Sequence, residues 1–307
     1  MKHINEKIIK ISKNILKWTY KIIKILIKTI LFIIDKLYIP VLMIVLMLWF
    51  AWWSSQTPSL NRHWQVNEAI LPEITFNSSS VYIKNVRNFT HITDHEATAW
   101  YYDQSYDLDK IETLYYIIEP FSDYDWPAHT MLSFWFSDWK YVTISAEIRK
   151  EKWESFDAVL WILNQYEMVY IVWDENDLVK LRANYRKDTV RMYPINVEKN
   201  KIQDLFVTAL HRADKLTKEP EFYNTLWNTC TTSILKHVNA LRNDKISWFD
   251  KRILLPSNSD KIAYDLWLID TKLSLEEARE YYKINELSEK YWNDNENYSR
   301  EIRKERK

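Results

Sequence analysis

Hydrophobic and polar positions change their period along the chain, and each change marks an element. Between residues 7 and 28, Lys7, Lys10, Lys17, Lys21, Lys24 and Lys28 recur at helical spacing, with Ile8, Ile11, Ile15, Ile22, Ile25 and Leu26 filling much of the remainder. Such a helix, with a basic stripe, can lie in an anionic membrane interface. Residues 37–53 then pass without a charge, the short end of the length that spans a bilayer. Nine lysines and two acids lie within residues 1–36. That excess predicts a cytoplasmic N-terminus and an exoplasmic chain from about residue 54 onward. The charged stretch is too long for a cleaved signal peptide, and no small-residue cleavage site follows it. Whether residues 14–34 also insert is open, so the anchor is single-pass or two-pass.

Beyond the anchor the pattern predicts an α+β domain. The expected division is 1–53 basic segment and transmembrane anchor, 54–80 linker, 81–307 exoplasmic domain. Residues 81–89 read as extended and 114–118 as a buried strand. Two alternating strands follow at 128–136 and 141–149, around Ser137-Asp138-Trp139-Lys140. A helix is expected at about 154–166 and a strand at 168–172. Ile202, Leu205, Phe206, Ala209, Leu210 and Ala213 form a helical stripe, and another helix starts near Cys230. Ser274-Leu275-Glu276-Glu277 is a capping box opening a charged C-terminal helix.

The 128–149 hairpin carries candidate chemistry. Thr130, Leu132, Phe134 and Phe136 are its core side on one strand, and Val142, Ile144, Ala146 and Ile148 on the other. A one-residue slip would expose one set, so parity is fixed. His129 then faces Glu147 or Arg149, and in either register Glu147 is a direct or diagonal neighbour. The opposite face gathers His129, Ser133, Thr143, Ser145, Glu147 and Arg149: either a solvated sheet face or a site.

The single cysteine rules out an internal disulfide. Cys230 lies in Asn228-Thr229-Cys230-Thr231-Thr232, where the helical stripe begins. A cysteine in a first helical turn has its thiolate favoured by orphan N–H groups and the dipole. With a histidine base held by a carboxylate it would complete a Cys-His-acid arrangement. A free cysteine also serves as a small buried hydrophobe, and the residues alone leave both open. His on a strand precedes Cys on a helix, the reverse of papain and the order of circularly permuted papain-like folds. Lys+Arg and Asp+Glu both number 42, so charge gives no case for nucleic-acid binding. No metal-spacing cluster is present, and no cofactor is called for.

Several motifs in order resemble the Lnb N-terminal periplasmic domain family. They are Val86-Arg87-Asn88-Phe89, Tyr101-Tyr102-Asp103, Ala128-His129-Thr130 with Leu132-Ser133-Phe134, Glu147-Ile148-Arg149-Lys150-Glu151, Gln165-Tyr166-Glu167, and Phe222-Tyr223-Asn224-Thr225-Leu226 leading into Cys230-Thr231-Thr232. The resemblance runs from about Arg62 to Asp270. It implies a permuted papain-like (NlpC-type) domain with an antiparallel sheet and packed helices, Cys230 as nucleophile and His129 as base. Glu147 as the group orienting His129 comes from the hairpin, not from the family. Ser133, Arg149, Tyr223 and Asn228 are the expected substrate-binding residues. Thr229 departs from the family, where Asn is usual. Named members are lipoprotein N-acyltransferases, which implies a membrane lipid and a lipoprotein as substrates. A cysteine amidase or peptidase of the envelope, and a non-catalytic envelope-binding module, are the alternatives.

One compositional fact changes the picture further. Glycine is absent, where average usage would put roughly 21, and tryptophan appears 16 times. Some bacteria read UGA as glycine, and translating such a gene with UGA as tryptophan would write Trp for Gly. Trp126, Trp135, Trp139, Trp153, Trp161, Trp173 and Trp267 fall where the family has glycine, whereas Trp64 matches a true family tryptophan. Trp49, Trp52 and Trp53 also suit a membrane interface. Suspect positions should show exposed indoles in turns and positive φ values, and glycine at Trp135 would open room beside His129.

Overall fold

The computed structural model describes residues 2–121, 127–154, 166–224 and 227–304, with side chains from residue 12 onward. The chain divides into two units, Met1–Thr57 and Pro58–Lys307. The first is helical: α1 (Lys2–Ile33), a π-helical turn Ile34–Tyr38, and α2 (Ile39–Ser55). Pro40, which has no N–H to donate to the helical ladder, is the second residue of α2, just past the wide turn. Over Ser12–Ser55 this run is long and apolar enough to cross a membrane, by length and composition.

The second unit begins earlier than the expected linker end. Residues 58–80 contain α3 (Val66–Ala69), β1 (Glu73–Phe76) and the start of β2 (Ser80–Arg87). Trp64 is buried there, its Nε1 donating to the Leu60 carbonyl at 2.9 Å. The linker is therefore shorter than expected. These elements are too brief to show a period, and long-range contacts hold them.

The remaining elements are β3 (Thr90–His91), β4 (Ala97–Thr98), β5 (Tyr101–Asp107), β6 (Ile111–Pro120), β7 (Ala128–Phe136), β8 (Tyr141–Arg149), β9 (Glu167–Trp173), α4 (Glu175–Lys180), β10 (Arg191–Ile195), α5 (Lys199–Leu216), β11 (Glu221–Phe222), α6 (Cys230–Leu241), α7 (Lys251–Leu254), α8 (Ser259–Asp265), α9 (Leu275–Tyr281), α10 (Asn285–Lys290) and α11 (Tyr298–Glu301). The main sheet runs β1-β2-β9-β8-β7-β6-β10, with β5 on β2 and β11 on β9. Among the described residues every pairing is antiparallel except β2 with β9. The fold is thus α+β, with a mostly antiparallel sheet and packed helices. The helix expected at about 154–166 falls mainly outside the described residues.

Both sheet faces are covered. Leu132, Phe134, Val142 and Ile144 pack against Ile202, Phe206 and Ala209 of α5 and against α6. Met131, Val169, Ile171 and Trp173 pack on the other side against Leu178 and Val179 of α4 and Tyr298 of α11. The hairpin's polar face is therefore not solvated: Ser133, Thr143 and Ser145 are buried. The expected single C-terminal helix is broken into α9, α10 and α11. The α9 capping box forms as expected. Beyond it, Lys283 bridges Arg191 and the Ile284 N–H donates to the Val190 carbonyl, which pulls the backbone out of the helix.

Candidate active site

The register of the hairpin builds the site. Leu132 faces Ile144 and Ser133 faces Thr143, and continuing that register sets His129 opposite Glu147. His129 Nε2 lies 3.0 Å from Glu147 Oε1 and 2.7 Å from Ser145 Oγ. Ser145 Oγ donates to the same carboxylate oxygen at 2.7 Å. Arg182, on the π-helical turn Leu181–Tyr185 that continues α4, donates from Nη2 to Glu147 at 3.2 Å and from Nε to Glu119 at 2.6 Å. Nothing local in the sequence marks Arg182, because its partners come from β6 and β8.

Cys230 is the first residue of α6. Thr229 is the N-cap: its side chain accepts from Thr232 N at 3.1 Å, while Thr232 Oγ1 accepts from Thr229 N at 2.7 Å. This reciprocal cap fixes the helix start, whose partial positive charge falls on the cysteine. Cys230 Sγ sits 3.8 Å from Thr231 Oγ1 and 4.0 Å from the Ala128 carbonyl. His129 shares the cleft with Cys230, near enough for the charges of imidazolium and thiolate to act on each other.

The electrostatics follow from this proximity. Burial pushes the Cys230 thiol up, but the neighbouring His129 outweighs it and brings the thiol down to about 7. Burial pushes His129 down, but Glu147 and the thiolate outweigh it and raise the imidazole to about 10. Burial likewise opposes the Glu147 carboxylate, and His129 then Arg182 hold it well below its usual range. Between the two values the pair is a thiolate beside an imidazolium, and its titration belongs to both groups together.

These residues open into one cleft beside the sheet, where β6 and β8 finish and β7 begins; Arg87 and Trp173, the last residues of β2 and β9, also reach it. Arg87, Glu119, His129, Glu147, Trp173 and Cys230 line it, with Tyr223, Glu68 and Lys150. Arg87 is stacked between Phe89 and Trp173, 3.9 and 3.8 Å from the ring centres, and donates from Nε to Asp177 at 2.8 Å. Burial drives the Glu68 carboxyl up to about 7 against the opposing pull of Lys150. Tyr223 contacts Cys230, and burial raises its hydroxyl far above the ordinary value. Among the described residues no group of three His, Cys, Asp or Glu side chains is placed to hold a metal ion.

Three expected substrate-binding residues lie outside the cleft. Ser133 is four residues along β7 from His129, about 13 Å at strand rise, and bonds Glu175 at 2.5 Å beneath Arg303. Arg149 stacks on Trp64 and donates to the Glu68 and Ala69 carbonyls, so it pins α3. Asn228 donates to the Phe222 carbonyl and accepts from Lys236, so it braces the loop before the cysteine. Trp135 is likewise not beside His129: it packs near Trp139 and Tyr141 at the opposite end of β7.

The other suspect tryptophans divide. Trp139 at φ 65° and Trp267 at φ 55° occupy the left-handed region, 62% and 83% exposed. Trp153 is exposed with no positive φ, and Trp173 is buried in the cleft wall. Trp126 and Trp161 lie outside the described residues.

The family model of the Lnb N-terminal periplasmic domain matches residues 97–257, a span holding His129, Glu147, Arg182 and Cys230. No curated protein and no solved structure matches the chain significantly. A periplasmic family and an N-terminal apolar helix fit a membrane-anchored protein with an exoplasmic C-terminal domain.

Proposed function

This chain belongs to the Lnb N-terminal periplasmic domain family, and from that premise we propose that it is a membrane-anchored acyltransferase working through a Cys230 acyl-enzyme, with lipoprotein N-acylation as its reaction. The observation that carries the reading is the Glu147–His129 hydrogen bond in the cleft that Cys230 also lines. We read its strand histidine ahead of a helix cysteine as the permuted papain-like order. The Cys230 thiolate attacks the carbonyl of a lipid acyl ester; the C–S bond forms, the C–O bond breaks, and the His129 imidazolium protonates the leaving alkoxide. A neutral amine then attacks the thioester and gives its proton to His129. The C–N bond forms and the thiolate is regained. Glu147 stabilises the imidazolium, while Ser145 and Arg182 fix the carboxylate that does so. An anchored domain suits two substrates that are themselves in the bilayer. The test is intact-mass analysis after incubation with diacyl phospholipid and acid quench. We expect an acyl adduct on Cys230, absent in Cys230→Ala and strongly reduced in His129→Ala. A wild-type protein that never carries the adduct would rule the reaction out.

We further propose that Trp139 and Trp267 are glycines in the cell, encoded by UGA. Their left-handed backbone is where a bulky residue is penalised and glycine is not. The exposed indoles contribute little packing in return. Trp64, buried and hydrogen-bonded, supplies the contrast. The mass of the peptide spanning residues 137–140, taken from the native host, decides it: tryptophan at position 139 ends the proposal.

A further inference from the structure

A second cavity lies behind the thiol cleft. Its walls are Ile234, Val238, Ile246, Ile262, Ala263 and Leu268 among other apolar side chains. The hydroxyls that reach it are already engaged: Tyr116 with Ser259 at 2.6 Å, Ser259 with the Pro256 carbonyl at 2.6 Å, and Thr231 with Thr130 at 3.1 Å. The walls therefore leave a polar ligand nothing to bond. Thr231 and Ile253 line both this cavity and the thiol cleft, so the apolar space starts one residue from the nucleophile. The segment that supplies Ile246 and Ile253 also carries exposed apolar side chains: Phe249 is 88% exposed, Leu254 and Leu255 45%. An apolar lip of this kind suits entry from a bilayer.

We infer that this cavity, between α6 and α8, holds the hydrocarbon chain of the acyl group while its carbonyl is on Cys230. The inference rests on the acyl-transfer reading and adds what that reading lacks, a seat that selects long chains. Ile253 and Thr231 form the threshold, and Val238 and Ala263 are further walls of the seat.

The test uses the full chain in nanodiscs of dialkyl-ether phosphatidylcholine, which offer no acyl ester. Cys230 is acylated with p-nitrophenyl acetate or p-nitrophenyl octanoate. The thiolate forms the C–S bond and p-nitrophenolate leaves with the C–O electrons. Rates are normalised to those of free cysteine and followed by intact mass. Each buried methylene is worth about fourfold, so octanoate should outpace acetate by at least about tenfold in the wild-type protein. Ala263→Phe, and independently Val238→Phe, should bring that ratio close to one. Equal rates in the wild type, or a preference retained in both variants, would overturn the assignment while leaving the thiol chemistry standing. A Cys230 that reacts with iodoacetamide but with neither ester would overturn the acyl-transfer reading, and this inference with it.

Discussion

Glu147→Gln removes one charge from the centre of the site and preserves its shape. Glu147 Oε1 lies 3.0 Å from His129 Nε2 and 3.2 Å from Arg182 Nη2. At an effective dielectric near 20, two unit charges that close interact by about 5–6 kcal/mol, an upper bound. Residual solvent contact screens the pair, whose side chains are 12% and 18% exposed. Arg182 also loses one of its two carboxylate partners, keeping Glu119, and its less compensated charge opposes a proton on His129. We therefore expect His129 to lose about 1.4–3 kcal/mol of proton affinity, roughly 10- to 100-fold. The sign follows from the pair. In the wild type the thiolate forms as pH rises through about 7, and the imidazolium is lost as pH rises through about 10. Without Glu147 the imidazolium is lost at lower pH, and the thiolate, less supported, forms at higher pH, so the window narrows from both sides. The assay is the rate of Cys230 alkylation by iodoacetamide between pH 5 and 11, read by intact mass. The acid limb should move up by at least about one pH unit. An unmoved profile would refute the claim that Glu147 acts on the thiol through His129.

Other perturbations bear on separate parts of the structure. Arg182→Met leaves the buried Glu119 and Glu147 carboxylates without their shared cation, and should destabilise the domain by about 3 kcal/mol or more, seen as a large fall in Tm; an unchanged Tm would show that other groups hold these acids. Trp139→Gly should stabilise the recombinant protein by about 1–2 kcal/mol by relieving the left-handed backbone at the hairpin turn, read as a rise in denaturant midpoint; a fall would mean that the contacts of the indole with Trp135 and Arg300 outweigh the strain. A periplasmic reporter joined after residue 60 should be active outside the cytoplasm, and activity confined to the cytoplasm would invert the topology.

What was legible in the sequence was what local periodicity encodes. Strands 128–136 and 141–149 form over the expected residues because two alternating apolar sets had to share one face. That same parity placed Glu147 beside His129, with the register settled by the turn. Parity says which face a residue occupies but not how far along the strand it lies, which is why Ser133 and Trp135 share the face of His129 and miss the site. Met131 lies on that same face and packs into a second core, which a solvated face would not provide. Arg182 and Glu119 were illegible because their pairing joins segments 63 residues apart in sequence. The fold of residues 58–80 was hidden for a related reason: β1 is a half-exposed edge strand of four residues, held by β2.

The most direct test of the central claim is mass spectrometry of lipoprotein N-termini from cells carrying the wild-type gene, no gene, or Cys230→Ala. The account predicts N-acylated termini with the wild type, and loss of that acyl group both in the deletion and in Cys230→Ala expressed at equal level. N-terminal acylation that persists unchanged in the deletion, or that Cys230→Ala restores in full, would contradict it.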